Sequence, residues 1–65
     1  MLLTYANEGE KRIILKTVNK RLEDMGFVQG ETLKITKKNG NNFIIEIKGS
    51  KVAISEELSR QINVY

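Results

Sequence analysis

Any chemistry in this chain has to come from carboxylates and amines. The acidic ligands are Glu8, Glu10, Glu23, Asp24, Glu31, Glu46, Glu56 and Glu57, and there is neither histidine nor cysteine. Those two absences remove the usual general base, the imidazole and thiolate ligands, and any disulfide. No Ser-His or Cys-His arrangement can be assembled, and no glycine loop has the spacing that cradles phosphate. The sequence therefore predicts a protein that is not an enzyme and has no small-molecule substrate. A carboxylate-only site favours Mg2+, Ca2+ or Mn2+ and would hold a softer divalent ion weakly. Glu10, Glu23 and Asp24 are the candidates for it. Adjacent pairs such as Glu23-Asp24 and Glu56-Glu57 point apart on a helix, so they suit helix N-terminal positions as well as chelation.

The amines are more numerous. Eleven Lys+Arg against eight Asp+Glu give a formal charge of +3. Lys34, Lys37, Lys38, Lys48 and Lys51 fall on predicted hairpins that should lie together, which makes a basic patch. Such a patch suits an acidic protein surface, anionic lipid headgroups or RNA. RNA binding usually needs aromatic platforms. The aromatics here are Tyr5, Phe27, Phe43 and Tyr65, and the strand pattern turns Phe43 inward. Lysines that guard sheet edges explain the same pattern. No nucleic-acid partner is expected.

The elements that must position these groups fit one domain spanning residues 1–65. A domain this small buries roughly 60% of its unfolded surface, so its core is thin. Leu2 and Leu3 anchor a leading segment that turns at Asn7-Glu8-Gly9-Glu10. Lys11 to Val18 reads as a strand of ambiguous phase, because Ile13-Ile14-Leu15 is continuous rather than alternating. Asn19 is the N-cap of a short helix over Lys20 to Met25, with Gly26 as its left-handed stop. Gly30 takes the third position of a tight turn framed by Val28-Gln29-Gly30-Glu31.

The second half alternates clearly. Leu33 and Ile35 share one face of a strand over Thr32 to Lys38. Asn39-Gly40 then predicts a two-residue hairpin turn in which both residues have positive φ. Phe43, Ile45 and Ile47 point inward on the next strand. Gly49-Ser50 predicts a second, type II′ turn, and Val52 and Ile54 follow inward. Ser55 caps a helical turn with Glu56 and Glu57 at its positive end and Arg60 at its negative one. Ile62-Asn63-Val64 closes the chain as a strand. Two hairpins, short strands and one-turn helices predict an all-β, small, partly open barrel of about five strands. One short helix follows the first strand and a helical turn precedes the last. The apolar runs are too short to span a bilayer, and Met1-Leu2-Leu3 does not have the form of a signal peptide. A cytoplasmic location is the expectation.

The string Arg21-Leu22-x-x-Met25-Gly26-Phe27-x-x-Gly30, followed by two hairpin strands and Gly49-x-x-Val52-Ala53-Ile54, resembles the FeoA family. That family is the small cytoplasmic component of bacterial ferrous iron uptake. The resemblance runs from Leu3 to Val64 and implies an SH3-like barrel with a helix inserted after the first strand. It also implies a regulatory module that docks on the cytoplasmic GTPase domain of the ferrous iron permease and reaches the membrane only through that partner. The family is described as binding transition metal, which would make Fe2+ a ligand here. Three departures stand out. Glu8 and Gln29 replace prolines before Gly9 and Gly30, and Ala6 replaces a leucine. The loop at Asn39-Gly40-Asn41-Asn42 is short. A similar module ends the iron- and manganese-dependent repressors, which gives the alternative of a metal-sensing domain.

Within that motif, Leu22, Met25, Phe27 and Val28 are the candidate docking residues. The competing reading is that they pin the short helix to the barrel. The spacing predicts a mixture, with Leu22 and Met25 facing the barrel and Phe27 or Val28 near the surface.

Overall fold

A computed structural model describes all residues from Met1 to Tyr65. A 3-10 turn at Leu3–Tyr5 leads into β1 (Lys11–Thr17), which is followed by α1 (Lys20–Asp24). The remainder runs β2 (Thr32–Asn39), β3 (Asn42–Ile47), β4 (Ser50–Ser55), α2 (Glu56–Ser59) and β5 (Ile62–Val64). The five strands form one antiparallel sheet in the order β4-β3-β2-β1-β5. This is the small, partly open barrel with one helix after the first strand and a helical turn before the last. The outer edge of β5 is covered by the leading residues. Leu2 bridges to Asn63, and the Val64 amide donates to the Met1 carbonyl at 2.7 Å.

Alternation builds the core. Leu33, Ile35, Phe43, Ile45, Ile47 and Ile54 line the inside of the β2–β4 meander, and Ile14, Ile62 and Val64 do so from β1 and β5. Leu3, Ala6, Leu22 and Phe27 complete the same buried cluster from the leading segment, α1 and the residues after it. Ala6 is fully buried, so the small residue at that corner belongs to the packing and does not border a surface.

Two strands carry an extra residue. In β2, Ile35 pairs with Ile45 but Lys37 pairs with Ile44, which leaves Thr36 as the bulge. In β1, Ile14 pairs with Val64 but Lys16 pairs with Asn63, which leaves Leu15 unpaired. That second bulge, with Ile14 inside and Ile13 and Leu15 outside, resolves the ambiguous phase of β1.

The helices end as the sequence predicts. The Asn19 side chain accepts from the Arg21 and Leu22 amides at 2.8 and 3.4 Å. At the other end Gly26 has φ +106°. The Phe27 amide donates to the Leu22 carbonyl at 3.0 Å and the Gly26 amide to the Glu23 carbonyl at 2.9 Å. Those two bonds form a Schellman motif, whose apolar pair is Leu22 and Phe27. Ser55 caps α2 by accepting from the Leu58 amide at 3.1 Å.

Both hairpin turns sit one residue away from their predicted places. Asn39 pairs with Asn42, so the first turn is Gly40-Asn41, and only Gly40 has positive φ (+51°). Without the bulge at Thr36 the Ile35–Ile45 register would set Lys38 opposite Asn42 and leave a three-residue loop, and the extra residue in β2 closes it to Gly40-Asn41. Ile47 pairs with Ser50, so the second turn is Lys48-Gly49, with φ of +52° and +78°. That is the type I′ sign pattern, not the predicted type II′. A slip of two residues would keep every inward side chain inward and pair Ile45 with Ile54 rather than Val52. Alternation alone is blind to the difference.

Candidate functional site

The Schellman motif decides what the helix region can present. It carries the chain back under α1, so Leu22 and Phe27 are both fully buried. They are core residues and cannot touch a partner in the folded protein, which corrects Phe27 as a surface candidate. Met25, expected to face the barrel, is the C-cap residue and is 40% exposed. Val28 is half-buried. The accessible part of the motif is therefore Met25 with the edge of Val28. Gly26 and Gly30 have turn conformations, and the Glu31 amide closes the Val28–Glu31 turn by donating to the Val28 carbonyl at 3.1 Å. Gly40 and Gly49 likewise serve their hairpins.

The predicted basic patch splits. Lys34 and Lys51 share the outer sheet face, both flanking Glu46 across the strands. Lys37 is exposed on the same face, opposite Ile44. Lys38 leaves it, because the Thr36 bulge pairs Lys38 with the inward Phe43. Its ammonium donates to the Thr4 and Ala6 carbonyls at 3.1 and 3.0 Å and lies 4.8 Å from the centre of the Phe43 ring. Lys38 ties the leading segment to the barrel and is not free for an outside anion. Lys48 occupies the second turn, 3.8 Å from the Glu31 carboxylate. Lys11, absent from the predicted patch, joins the outer face directly opposite Lys34.

The candidate metal ligands are not brought together. Glu10 accepts from Arg12 Nε and Nη2 at 3.1 and 2.8 Å and from the Asn7 amide at 3.0 Å. The bond from the Asn7 backbone, followed by that from Arg12, holds its carboxyl below the ordinary 4.5. Glu23 and Asp24 are exposed on α1, and no three carboxylates converge anywhere in the chain. With no imidazole or thiolate either, the donor set does not fit a resident transition ion. An open recess of about 470 Å3 lies between the polar and charged residues Asn41, Ser55, Glu56, Glu57 and Arg60. Its Arg60 is already paired with Glu56 at 3.0 Å.

A sequence model of the FeoA domain family matches residues 1–65, the whole chain. The chain belongs to the FeoA family. Among relatives, a Methanocaldococcus jannaschii protein provisionally named Fe(2+) transport protein A is 36% identical over 67 residues, covering 95% of this chain and 82% of that one. A crystal structure of an iron uptake regulatory protein (FeoA) superposes with a TM-score of 0.89 at 25% identity, over 98% of this chain and 92% of that one. A manganese-dependent transcriptional repressor matches with a TM-score of 0.83 at 11% identity, over 98% of this chain and 40% of its own. That last likeness shows only the shared SH3-like fold. FeoA proteins take part in ferrous iron transport, and no helix of this one is long and apolar enough to cross a membrane.

Proposed function

We propose that this protein is a non-catalytic accessory module of ferrous iron uptake. It works from the cytoplasmic side by docking on the GTPase domain of a ferrous iron permease. The observation that carries this reading is where the side chains are spent. Glu10, Lys38, Glu56 and Arg60 are engaged in internal bonds, whereas Ile13, Leu15, Val18, Met25 and Tyr65 remain exposed. Such a surface recognises a partner and transforms nothing. Kinship with a protein named for Fe(2+) transport supplies the context. Iron is then cargo of the assembly and not a resident group of this chain.

Two measurements test the reading. Calorimetric titration of the full chain into the purified GTPase domain should show saturable one-to-one binding. Deleting the chain from cells should slow ferrous iron uptake. A flat titration with unchanged uptake would remove the proposal. Stoichiometric Fe2+ binding under anaerobic conditions, abolished by Glu23→Ala, would favour a sensing module instead.

A further inference from the structure

The unbroken run Ile13-Ile14-Leu15 makes β1 apolar on both faces. Ile14 enters the core, while Ile13 and Leu15 stay outside at 46% and 38% exposure. Tyr65 lies across the strand from Ile13, its amide donating to the Ile13 carbonyl at 3.0 Å, and it is 65% exposed. On the other flank Ile13 faces Thr32. Beside this apolar centre stand three lysines. Lys11 is two positions along β1, Lys34 is directly opposite Lys11, and Lys16 follows Leu15. Like charges placed opposite one another weaken a sheet. None of the three has a carboxylate within 4.0 Å. Glu46, the one acid in register with Lys34, also faces Lys51. An open dent of about 150 Å3 beside Leu15 and Lys16 extends the surface toward α1.

The geometry points to the outer face of β1 with Tyr65 as the docking surface, and to an acidic protein partner as its occupant. An aliphatic or aromatic side chain of the partner seats on Ile13 and Tyr65, and flanking carboxylates meet Lys11, Lys16 and Lys34. Charge selects this occupant. A second copy would set the same lysines against each other in a two-fold contact. Unpaired lysines around an apolar centre give steering and specificity toward acidic surface.

The inference rests on the docking reading above, and the experiment separates the two. The wild-type chain and its variants are titrated against the purified GTPase domain at two salt concentrations. Ile13→Glu and the milder Ile13→Thr should weaken binding, the former by at least about tenfold. Lys11→Glu with Lys34→Glu should weaken it several-fold and flatten its salt dependence. Glu57→Gln, exposed on α2 and away from this face, should bind as wild type. Far-UV circular dichroism and thermal melts establish that each variant is folded, and Ile13→Thr keeps a β-branched residue should Ile13→Glu melt early. Absence of wild-type binding defeats the docking reading itself. Equal binding by wild type and the folded Ile13 and lysine variants leaves docking intact and overturns this face. A wild-type dimer dissolved by Ile13→Glu, or co-sedimentation with phosphatidylserine vesicles lost in the lysine variant, would overturn the acidic protein as occupant.

Discussion

Gly26 and Lys48 hold the same kind of backbone conformation with opposite fitness for it. Gly26 has φ +106°, and a Cβ built there would lie 3.6 Å from Lys48 Cδ, an ordinary contact. The penalty for Gly26→Ala is therefore conformational, about 1–2 kcal/mol, and urea melts should show the loss without a change in slope. Lys48 sits at φ +52° with a side chain that gains nothing from it. Lys48→Asn should stabilise by roughly 0.5–1 kcal/mol, or a few degrees in Tm, because asparagine tolerates that region and the exposed pair with Glu31 contributes little. Glu10 makes a third residue-scale prediction. Its carboxyl is held below 4.5 by the Asn7 amide and by Arg12. A carboxylate lowered on folding stabilises above its unfolded value, and that stabilisation drains away as the pH falls through the folded one. Wild type should thus lose stability as the pH falls through and below the ordinary carboxylate range, and Glu10→Gln should show a shallower decline over the same window.

Among the elements, α1 depends most on its ends. Five residues cannot form a helix by propensity alone. Asn19 at one end and the Schellman closure at the other satisfy the orphan amides and carbonyls, and Leu22 anchors the turn in the core. Asn19 also donates from Nδ2 to Gln61 at 2.8 Å, which joins α1 to the approach of β5. Asn19→Ala should cost about 1–2 kcal/mol in denaturant melts, and Asn19→Ser less, since serine still caps. Hydrogen exchange should then show α1 opening before the β2–β3 ladder.

At the scale of the whole molecule, stability is thin. Thirteen buried apolar residues form one cluster, and a chain of 65 residues has a total stability of roughly 3–10 kcal/mol. Phe27→Ala, which removes about 3–5 kcal/mol and so a large share of that total, should lower the melting temperature steeply by circular dichroism. Loss of iron uptake in that variant would report on folding and say nothing about docking. Surface probes must come from the outer face, where Ile13 can change without opening the core.

The sequence was a good guide wherever a local rule acts alone. Asn19 and Ser55 as caps, Gly26 as a stop, the Gly30 turn and the inward Leu33, Ile35, Phe43, Ile45 and Ile47 all depend on neighbours within a few positions. Hidden from it was whatever depends on register. A one-residue bulge at Thr36 costs no visible change in alternation before it, yet it turns Lys38 inward and moves the first hairpin turn. The burial of Phe27 depends on a chain reversal that brings it under α1, and Lys11 joins Lys34 only once β1 has paired with β2. Local chemistry thus settled which elements form and where the helices stop. Strand pairing, a long-range choice made by packing, decided which lysines stay free and which apolar side chains face outward.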